Sequence, residues 1–544
     1  MLLAMLLVGA GMLSASYVSR QSSPVWDETH FFGIGNYLLE TGRFDIPGIG
    51  IHPPVAHYLG SIALLGERIP LSEFGALGKK DPRTRLARAH VKRGNALLRR
   101  VGFERFLQAR WPFIVLYGVA GLLVFFWSRR AFGDFAGLYS LALYLASPTL
   151  LANGFLLTND FTLAFFLLLA FFCLMEALER PGPWAMVGFV FAAAITPGVK
   201  LTGLLLAPLS VLAVLIHVLR TKEPWVYLPR RGRLRVSQST FLGYWGVVAF
   251  LTLVVAYFTL VLLYQGDWSL STYRTNAELV AMIYERGHTT FLDGERTFAG
   301  FGGYYLLALW YKTPLALLAA WILALVLPRR WVGSRRAIPL VVALVWVVTL
   351  SILRYNLGLR YILIAYPLLS VLAGRTLAGP SSSERKWPRR SLRVIAVVLV
   401  VLALAELAWV FPYPRSYVNP VTARGPGYEH LADMDLDWGG GLVALRRYIA
   451  KEHVRDFAFS YHGSVEPAIF GIHPSWYENP SRMVFSRGTL PSKGLLFVSS
   501  TNLSGVYGGA GPYLRGRRPV TVVGGTIYVF RIEGLGLDRR GGQR

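Results

Sequence analysis

Long apolar runs are the feature of this sequence that most restricts its fold. Segments such as 241–264 and 394–411 approach the roughly 20 apolar residues that a helix needs to cross a bilayer. The chain is 54% hydrophobic and 16% charged, whereas soluble globular proteins carry about 25% charged residues. The sequence therefore predicts a polytopic α-helical membrane protein.

Hydropathy along the chain predicts about eleven membrane-spanning helices. The first run of apolar residues is interpreted as a retained span and not as a cleaved signal peptide, because no clear small-residue cleavage site follows it. The approximate bounds of the predicted spans are 1–18, 111–127, 134–152, 157–177, 184–198, 200–219, 241–264, 313–328, 337–353, 361–378 and 394–411.

The basic residues indicate how the chain is oriented in a membrane. A net charge of +26 would also suit a nucleic-acid-binding protein. However, the arginines cluster in short loops between spans, as at Arg129-Arg130 and Arg230-Arg231, which is the pattern of cytoplasmic loops. We therefore expect no nucleic-acid partner, and a multi-pass protein of the inner or plasma membrane. The single cysteine, Cys173, excludes an intrachain disulfide and a cysteine-rich metal site.

The predicted organisation is a membrane domain over residues 1–411 and a small external α/β domain over residues 412–544. The first external loop, residues 19–110, is predicted to hold short amphipathic helices at 30–39 and 55–65. It should also hold a basic helix over 83–110 that lies on the lipid headgroups. In the C-terminal domain we expect a helix at 438–453, strands at 456–461 and 495–499, and a hairpin of 520–523 with 526–531 around Gly524-Gly525.

Polar residues that could carry chemistry collect at the predicted external edge of the membrane. Asp27 and Glu28 follow the first span, and charge near lipid is costly without a function. One carboxylate can accept a proton from an attacking hydroxyl, while a helix cap or a headgroup contact is the alternative for the pair. His52 precedes Pro53-Pro54, which stiffens the chain and can hold the imidazole in place.

Further candidates lie at the predicted external ends of later spans. Asp160 opens the fourth span, where a carboxylate also favours a helix N-terminus. The cations can bind phosphate or merely extend towards the headgroups; together with one tyrosine they are Lys200, Lys312, Arg360 and Tyr361.

The acidic run Asp433-Met434-Asp435-Leu436-Asp437 alternates like a calcium-binding loop. Trp438 stands where such a loop needs glycine, so we expect these carboxylates to cap the following helix. A divalent metal held by Asp27, Glu28 and Asp160 is a further alternative, although hard cations need more oxygen ligands than these residues offer. No cofactor is predicted with certainty.

Several motifs together resemble one known family. The run Trp26-Asp27-Glu28-Thr29-His30-Phe31, followed by His52-Pro53-Pro54, resembles the first-loop signature of the dolichyl-phosphate-mannose protein mannosyltransferases. These are GT-C fold glycosyltransferases, a group that includes the lipid A aminoarabinose transferases. Similar segments follow in the same order as in bacterial members, at 151–160, 312–314, 358–361 and 433–439.

The resemblance implies an inverting glycosyltransferase that uses a polyprenyl-phosphate sugar as donor and a protein, lipid or glycan as acceptor. It places Asp27 at the family's catalytic aspartate and Glu28 at its companion. His52 stands where the aminoarabinose transferases have lysine, and Gly440 stands where bacterial relatives commonly have glutamine.

Two other classes of protein are alternatives to an enzyme. A transporter or flippase of lipid-linked sugars would place its polar residues near the membrane midplane and would show internal repeats. A cell-envelope scaffold would leave the ordered motifs unexplained. The gathering of polar residues at one predicted edge favours an enzyme.

Overall fold

The computed structural model describes residues 1–44, 52–66, 82–327, 334–353, 356–378, 389–482, 484, 490–509 and 511–533. Within these ranges six helices are long and apolar enough to cross a membrane, or seven if the bent pair Tyr304–Lys312 and Leu315–Val326 is one span. The multi-pass helical class is thus confirmed. The total of eleven spans stays a prediction. Some of the predicted spans coincide with apolar helices that are shorter than the six counted here, as at Pro183–Gly198 and Val341–Ile352.

The helices follow the predicted apolar segments closely. Helix α4 contains a break at Gly102, whose φ of 78° is readily adopted by glycine. Up to residue 263 the helices are α1 Leu2–Gln21, α2 Trp26–Thr41, α3 Val55–Ser61, α4 Pro82–Phe132, α5 Asp134–Leu145, α6 Pro148–Asn153, α7 Asn159–Glu179, α8 Pro183–Ile195, α9 Leu206–Arg220 and α10 Gln238–Leu263.

The helices after residue 263 include α16, the last long apolar helix. We define residues 411–533 as the C-terminal region, which holds two short helices. The later helices are α11 Ser271–Arg286, α12 Tyr304–Lys312, α13 Leu315–Val326, α14 Ser334–Leu353, α15 Ala365–Ala373, α16 Arg389–Val410, α17 Leu442–Lys451 and α18 Ser500–Ser504.

The strands form two hairpins and one five-stranded sheet. Strands β1 Trp225–Leu228 and β2 Gly232–Arg235 pair with each other, as do β3 Thr290–Leu292 and β4 Glu295–Thr297. The sheet of the C-terminal region has the order β6-β5-β7-β9-β8, in which β5 is parallel to β6 and β7, and β9 is antiparallel to β7 and β8. Its strands are β5 Phe457–Ser460, β6 Trp476–Glu478, β7 Leu495–Ser499, β8 Thr521–Val523 and β9 Ile527–Arg531.

The predicted strands and the predicted hairpin of the C-terminal region are confirmed. Gly524 and Gly525 have φ values of 59° and 71°, as a tight two-residue turn between β8 and β9 requires. The predicted helix 438–453 is shorter and begins at Leu442. Strand β6 was not predicted, since its three residues give too short a pattern for periodicity to show.

The basic helix of the first loop does not rest on lipid headgroups along its buried face. Arg93, Asn95 and Leu97 are at most 2% exposed, and the amide of Asn95 donates to the carbonyl of Ser464 at 2.9 Å. The expectation of a headgroup helix is therefore corrected: this face of α4 packs against α2 and the C-terminal region, and its apolar residues belong to the protein interior.

A buried ion pair joins α2 to α4. Arg110 donates to both carboxylate oxygens of Glu28, at 2.8 and 2.5 Å, and both side chains have no exposed surface. The remaining guanidinium hydrogens bind carbonyls at the end of α1, including that of Ser22 at 2.9 Å. Glu28 also accepts from the backbone N–H groups of Val25 and Leu157, both at 2.9 Å. One carboxylate thus fixes α1, α2, α4 and the segment that leads into α7.

The residues between α1 and α2 are also bound to the C-terminal region through backbone groups. The N–H of Ser23 donates to Gly440 at 3.0 Å, and the N–H of Trp26 donates to Trp438 at 2.9 Å. These bonds hold the first turn of α2 against the segment that precedes α17.

We predict that Arg110→Met strongly destabilises the protein. Removing one partner leaves the Glu28 carboxylate buried without a counter-charge, which costs about 3–5 kcal/mol of unfolding free energy. The measurement is the melting temperature of the purified protein in detergent. Arg105→Met, on the exposed face of the same helix, is the matched control. Equal melting temperatures for the two variants would contradict the structural role of the pair.

Candidate functional site

Four charged side chains meet where several helices end. One guanidinium nitrogen of Arg360 lies 2.5 Å from a carboxylate oxygen of Asp27 and 3.3 Å from one of Asp160. The ammonium of Lys200 lies 2.6 Å from the other oxygen of Asp160. We call these four residues the charge cluster. Its two carboxylates and two cations balance, so the cluster is neutral overall.

Each member of the charge cluster comes from the end of an element. Asp27 and Asp160 lie in the first turns of α2 and α7, where the helix dipole favours a carboxylate. Lys200 lies between two short 3₁₀ turns, and Arg360 belongs to the 3₁₀ turn Leu359–Ile362. Four distant segments therefore converge on one point, as the sequence predicted for these residues.

Aromatic rings enclose the two cations. The Lys200 ammonium lies 3.7 Å from the ring centroid of Tyr361, and the Arg360 guanidinium carbon lies 4.7 Å from that of Trp438. Such contacts stabilise a cation without neutralising it. Tyr361 thus lies next to Lys200 at the edge of the charge cluster.

The exposure of the cluster differs between its members. The side chains of Asp160 and Lys200 are 3% and 7% exposed, whereas that of Asp27 is 22% exposed. Burial raises the pKa of Asp27, and the Arg360 charge opposes that rise without cancelling it. Asp27 is therefore the carboxylate of the cluster that a reactant can reach, and its basicity is above that of an ordinary aspartate.

His52 lies beside the charge cluster without a hydrogen bond to it among the described residues. Its ring stacks on Phe31 with centroids 5.3 Å apart, and it is 6.3 Å from the ring of His30. Burial lowers the pKa of His52 to about 3, with a further contribution from the nearby Lys200 charge. The imidazole is therefore neutral at physiological pH, so a phosphate-binding role would rely on hydrogen bonding and not on charge.

Two predicted site residues, Glu28 and Lys312, form their hydrogen bonds with partners outside the charge cluster. Glu28 has no exposed surface and is fully occupied by Arg110 and backbone N–H groups, so its position supports a structural role and not the predicted role beside Asp27. The ammonium of Lys312 donates to the carbonyls of Arg415 and Tyr417 at 2.7 and 2.5 Å. Lys312 also lines a narrow cleft together with Arg360 and Arg415.

The acidic run 433–437 does not cap the following helix, which corrects that expectation. Helix α17 has Gly441 at its N-cap and no side-chain cap. Asp435 instead accepts hydrogen bonds from the Tyr304 hydroxyl at 2.8 Å and from the Leu359 N–H at 2.7 Å. This carboxylate holds the 3₁₀ turn that carries Arg360, so the C-terminal region positions a member of the charge cluster.

Sequence reasoning missed two residues that surround Arg360. The guanidinium of Arg415 donates to the carbonyls of Met434 and Ala152 at 2.7 and 2.8 Å, and its carbon lies 5.5 Å from the Trp438 ring. Nothing in the proline-rich linker around Arg415 distinguishes this arginine from the many others. Trp438 carried a signal, since a tryptophan directly after an acidic run is unusual for a calcium loop.

The described residues contain no group of three or more His, Cys, Asp or Glu side chains arranged to hold a metal ion. The alternative of a metal bound by Asp27, Glu28 and Asp160 therefore finds no ligand set among them. Arg360 stands between Asp27 and Asp160, and Arg110 occupies both oxygens of Glu28.

Comparison with known proteins tests the family resemblance. The family model described as dolichyl-phosphate-mannose-protein mannosyltransferase matches residues 95–230. This match confirms the resemblance over that segment. The segment includes Asp160 and Lys200 but neither Asp27 nor Arg360, and the family consists of glycosyltransferases. No curated protein sequence matches the chain significantly.

Solved structures from Cupriavidus metallidurans and Archaeoglobus fulgidus are among those similar to this chain. ArnT from Cupriavidus metallidurans bound to undecaprenyl phosphate is 15% identical, with 97% of this chain and 98% of that chain covered and a TM-score of 0.46. Its apo state is 16% identical, with 97% of both chains covered and the same TM-score. The Archaeoglobus fulgidus oligosaccharyltransferase in complex with Zn and sulfate is 14% identical, with 74% of this chain and 52% of that chain covered and a TM-score of 0.38.

We predict that Lys312→Met acts mainly on stability. The substitution removes two hydrogen bonds that tie α12 to residues 415–417, and each charged hydrogen bond contributes about 1.5–3 kcal/mol. The melting temperature should fall, while the Michaelis constant for a phosphate-bearing substrate should change less than that of Lys200→Met. A larger effect of Lys312→Met than of Lys200→Met on substrate binding would instead support the predicted role of Lys312 in phosphate binding.

Proposed function

We propose that the protein is an inverting glycosyltransferase that moves a sugar from a polyprenyl-phosphate donor to an acceptor hydroxyl at the external membrane face. The observation that carries this proposal is the pairing of a reachable carboxylate, Asp27, with the Arg360 cation, in segments that follow the apolar helices α1 and α14. The family match supports the reaction class. The sidedness rests on the positions of the basic loops.

In the proposed arrangement the membrane domain over residues 1–411 carries the catalytic site, and residues 412–544 form an external domain that covers it. The end of α16 at Val410 supports this boundary. The backbone hydrogen bonds of Ser23 and Trp26 to residues 440 and 438 support a position of this external domain directly over the first turn of α2.

The reaction begins when the donor phosphate reaches the charge cluster. A phosphate monoanion competes with the Asp27 carboxylate for Arg360, because a guanidinium binds both groups with the same planar geometry. Lys200 adds a second, compact charge beside it. Loss of the Arg360 contact raises the pKa of Asp27 further, since that charge holds the pKa down. Donor binding thus converts Asp27 from a salt-bridged carboxylate into a better base.

Asp27 then removes the proton of the acceptor hydroxyl as its oxygen attacks the anomeric carbon. The bond between that carbon and the phosphate oxygen breaks, and its electron pair stays on the departing polyprenyl phosphate. Arg360 and Lys200 stabilise the developing phosphate charge. The transition state has oxocarbenium character, and a single displacement inverts the anomeric centre.

We predict that Asp27→Asn lowers sugar transfer by at least about a hundredfold, because general base catalysis contributes roughly 10²–10⁴ in rate. The assay follows labelled sugar from a panel of short polyprenyl-phosphate sugars, with purified protein in nanodiscs. Asp134→Asn, an exposed aspartate in the first turn of α5, is the matched control. Donor movement across a bilayer without Asp27-dependent turnover would instead support a flippase.

We predict that Arg360→Gln shifts the pH dependence as well as the rate. The rate requires ionised Asp27, so it rises with pH through the Asp27 pKa. Removing Arg360 takes away the charge that lowers this pKa, so the acidic limb of kcat/KM should move to higher pH. The profile is measured between about pH 4 and pH 9, with Arg99→Gln as control. An unshifted limb would show that another group is the base.

A further inference from the structure

One short segment of the C-terminal region is attached to both partners of the Asp27–Arg360 ion pair. This segment, residues 433–438, lies between the 3₁₀ turn Gly427–Glu429 and α17. Asp27 and Arg360 themselves are 333 residues apart in the chain. Because both are bound to the same few residues, the conformation of segment 433–438 bears directly on the distance between the carboxylate and the guanidinium.

The attachment of Asp27 to this segment runs through Trp438. The N–H of Trp26, the residue directly before Asp27, donates to the carbonyl of Trp438 at 2.9 Å. The ring of Trp26 also stacks on that of His462, with centroids 5.4 Å apart and planes inclined by 15°. The first turn of α2 is therefore fixed to the C-terminal region by a backbone hydrogen bond and by a ring contact.

The attachment of Arg360 runs through Asp435. One carboxylate oxygen of Asp435 accepts from the N–H of Leu359 at 2.7 Å, and the other accepts from the hydroxyl of Tyr304 at 2.8 Å. Asp435 is 4% exposed, so water has little access to compete for these bonds. The guanidinium carbon of Arg360 also lies 4.7 Å from the ring centroid of Trp438. Arg360 is thus held by the segment at its backbone turn and at its side chain.

Segment 433–438 is itself held in place by bonds from outside it. The guanidinium of Arg415 donates to the carbonyl of Met434 at 2.7 Å. The hydroxyl of Thr501 donates to the carbonyl of Asp437 at 2.9 Å. A group that positions others must be locked by its own hydrogen bonds and packing, and these two bonds meet that requirement.

The contact between Asp435 and the turn that carries Arg360 leaves no room for a side chain at residue 358. Gly358 has a φ of 78°. A Cβ at this position would lie 2.5 Å from Cγ of Met434 and 2.7 Å from the same Asp435 oxygen that accepts from Leu359. That oxygen cannot retreat without losing its bond. Glycine at residue 358 therefore allows the carboxylate to reach the N–H of Leu359.

We propose, resting on the glycosyltransferase function above, that Asp435 is a positioning residue for sugar transfer. Acting through the N–H of Leu359, it holds Arg360 against Asp27, while Trp438 holds the first turn of α2 in the matching position. Segment 433–438 thus serves as a template for the charge cluster. The C-terminal region is then part of the catalytic apparatus and not only a cover for it.

The proposed role predicts a change in the acidity of Asp27. Burial raises the pKa of Asp27, and the Arg360 charge opposes that rise. Without the bond from Asp435 the guanidinium moves away from Asp27, so the Asp27 pKa rises. An adjacent arginine lowers the pKa of an aspartate by about 1–3 units, and we expect a shift at the lower end of that range. A mere loss of folded protein would instead lower the rate equally at every pH.

The test compares the acidic limb of kcat/KM in variants of the full-length protein in nanodiscs. Asp435→Ala and Asp435→Asn both remove the charge, but asparagine keeps an oxygen that can accept from the N–H of Leu359. The rate requires ionised Asp27, so a higher Asp27 pKa moves the limb to higher pH. Alanine should move it by about one pH unit, and asparagine should restore the wild-type position.

Gly358→Ala tests the same contact without any change of charge. Its methyl group displaces the turn from Asp435, so the limb should move in the same direction as in Asp435→Ala. Gly471→Ala is the matched control, because Gly471 has a φ of 70° and a Cβ there would have no other described residue beyond its chain neighbours within 4 Å. This control introduces similar backbone strain without the contact, and its limb should stay at the wild-type position.

Two results of the kinetic test would overturn the proposal. A lower rate at every pH with an unshifted limb would show that Asp435 supports only folding. An equal shift in Asp435→Ala and Asp435→Asn would show that the charge of Asp435, and not its bond to Leu359, acts on Asp27.

Infrared titration of Asp27 separates this proposal from the proposed function. If the wild-type protein transfers no sugar from any donor of the panel, the glycosyltransferase function fails, but the positioning of Arg360 is still measurable. The probe is the C=O stretching band of the protonated Asp27 carboxyl, identified as the band that Asp27→Asn removes. A titration midpoint that rises in Gly358→Ala and not in Gly471→Ala supports the positioning of Arg360 by Asp435, whereas equal midpoints overturn it.

Discussion

The buried pair of Glu28 and Arg110 is the interaction on which the site depends. Arg110 binds both oxygens of Glu28, and the same carboxylate accepts from the N–H of Leu157. Asp27 is the residue before Glu28, and Asp160 follows Leu157 by three residues. The two carboxylates of the charge cluster are therefore placed by a third carboxylate that touches neither of them. Such a pair is sensitive to loss of one partner, because the remaining charge has no access to water.

The charge cluster is a chain of ion pairs in which two carboxylates alternate with two cations. Arg360 is bonded to both Asp27 and Asp160, and Lys200 to Asp160. Because the two carboxylates already neutralise the two cations, the donor-free protein avoids the cost of unpaired charge near lipid. In the proposed mechanism the donor phosphate replaces Asp27 at Arg360, and the same exchange frees the base. Binding and activation are then one event.

How much of this arrangement the sequence could predict depends on how far apart along the chain the interacting residues are. Asp27, Asp160, Lys200 and Arg360 were placed at one edge by counting apolar segments, and all four meet. Strands β5, β7, β8 and β9 of the C-terminal region were predicted, the last two from the Gly524-Gly525 turn, whereas β6 was not. The roles of Glu28 and Asp435 could not be predicted, because each depends on a partner far away in sequence: Arg110 is 82 residues from Glu28, and Leu359 is 76 residues from Asp435. A short acidic motif does not reveal such a partner.

The link between the Ser23 segment and residues 438–440 has a consequence for how the protein is made. The hydroxyl of Ser23 and the carbonyl of Gly439 are 416 residues apart. At a synthesis rate of about 5–20 residues per second, the first helices wait roughly 20–80 s in the membrane before their partner segment exists. Throughout that time the segment before α2 lacks its bonds to residues 438–440. A ribosome that stalls before residue 438 therefore leaves α2 without these bonds.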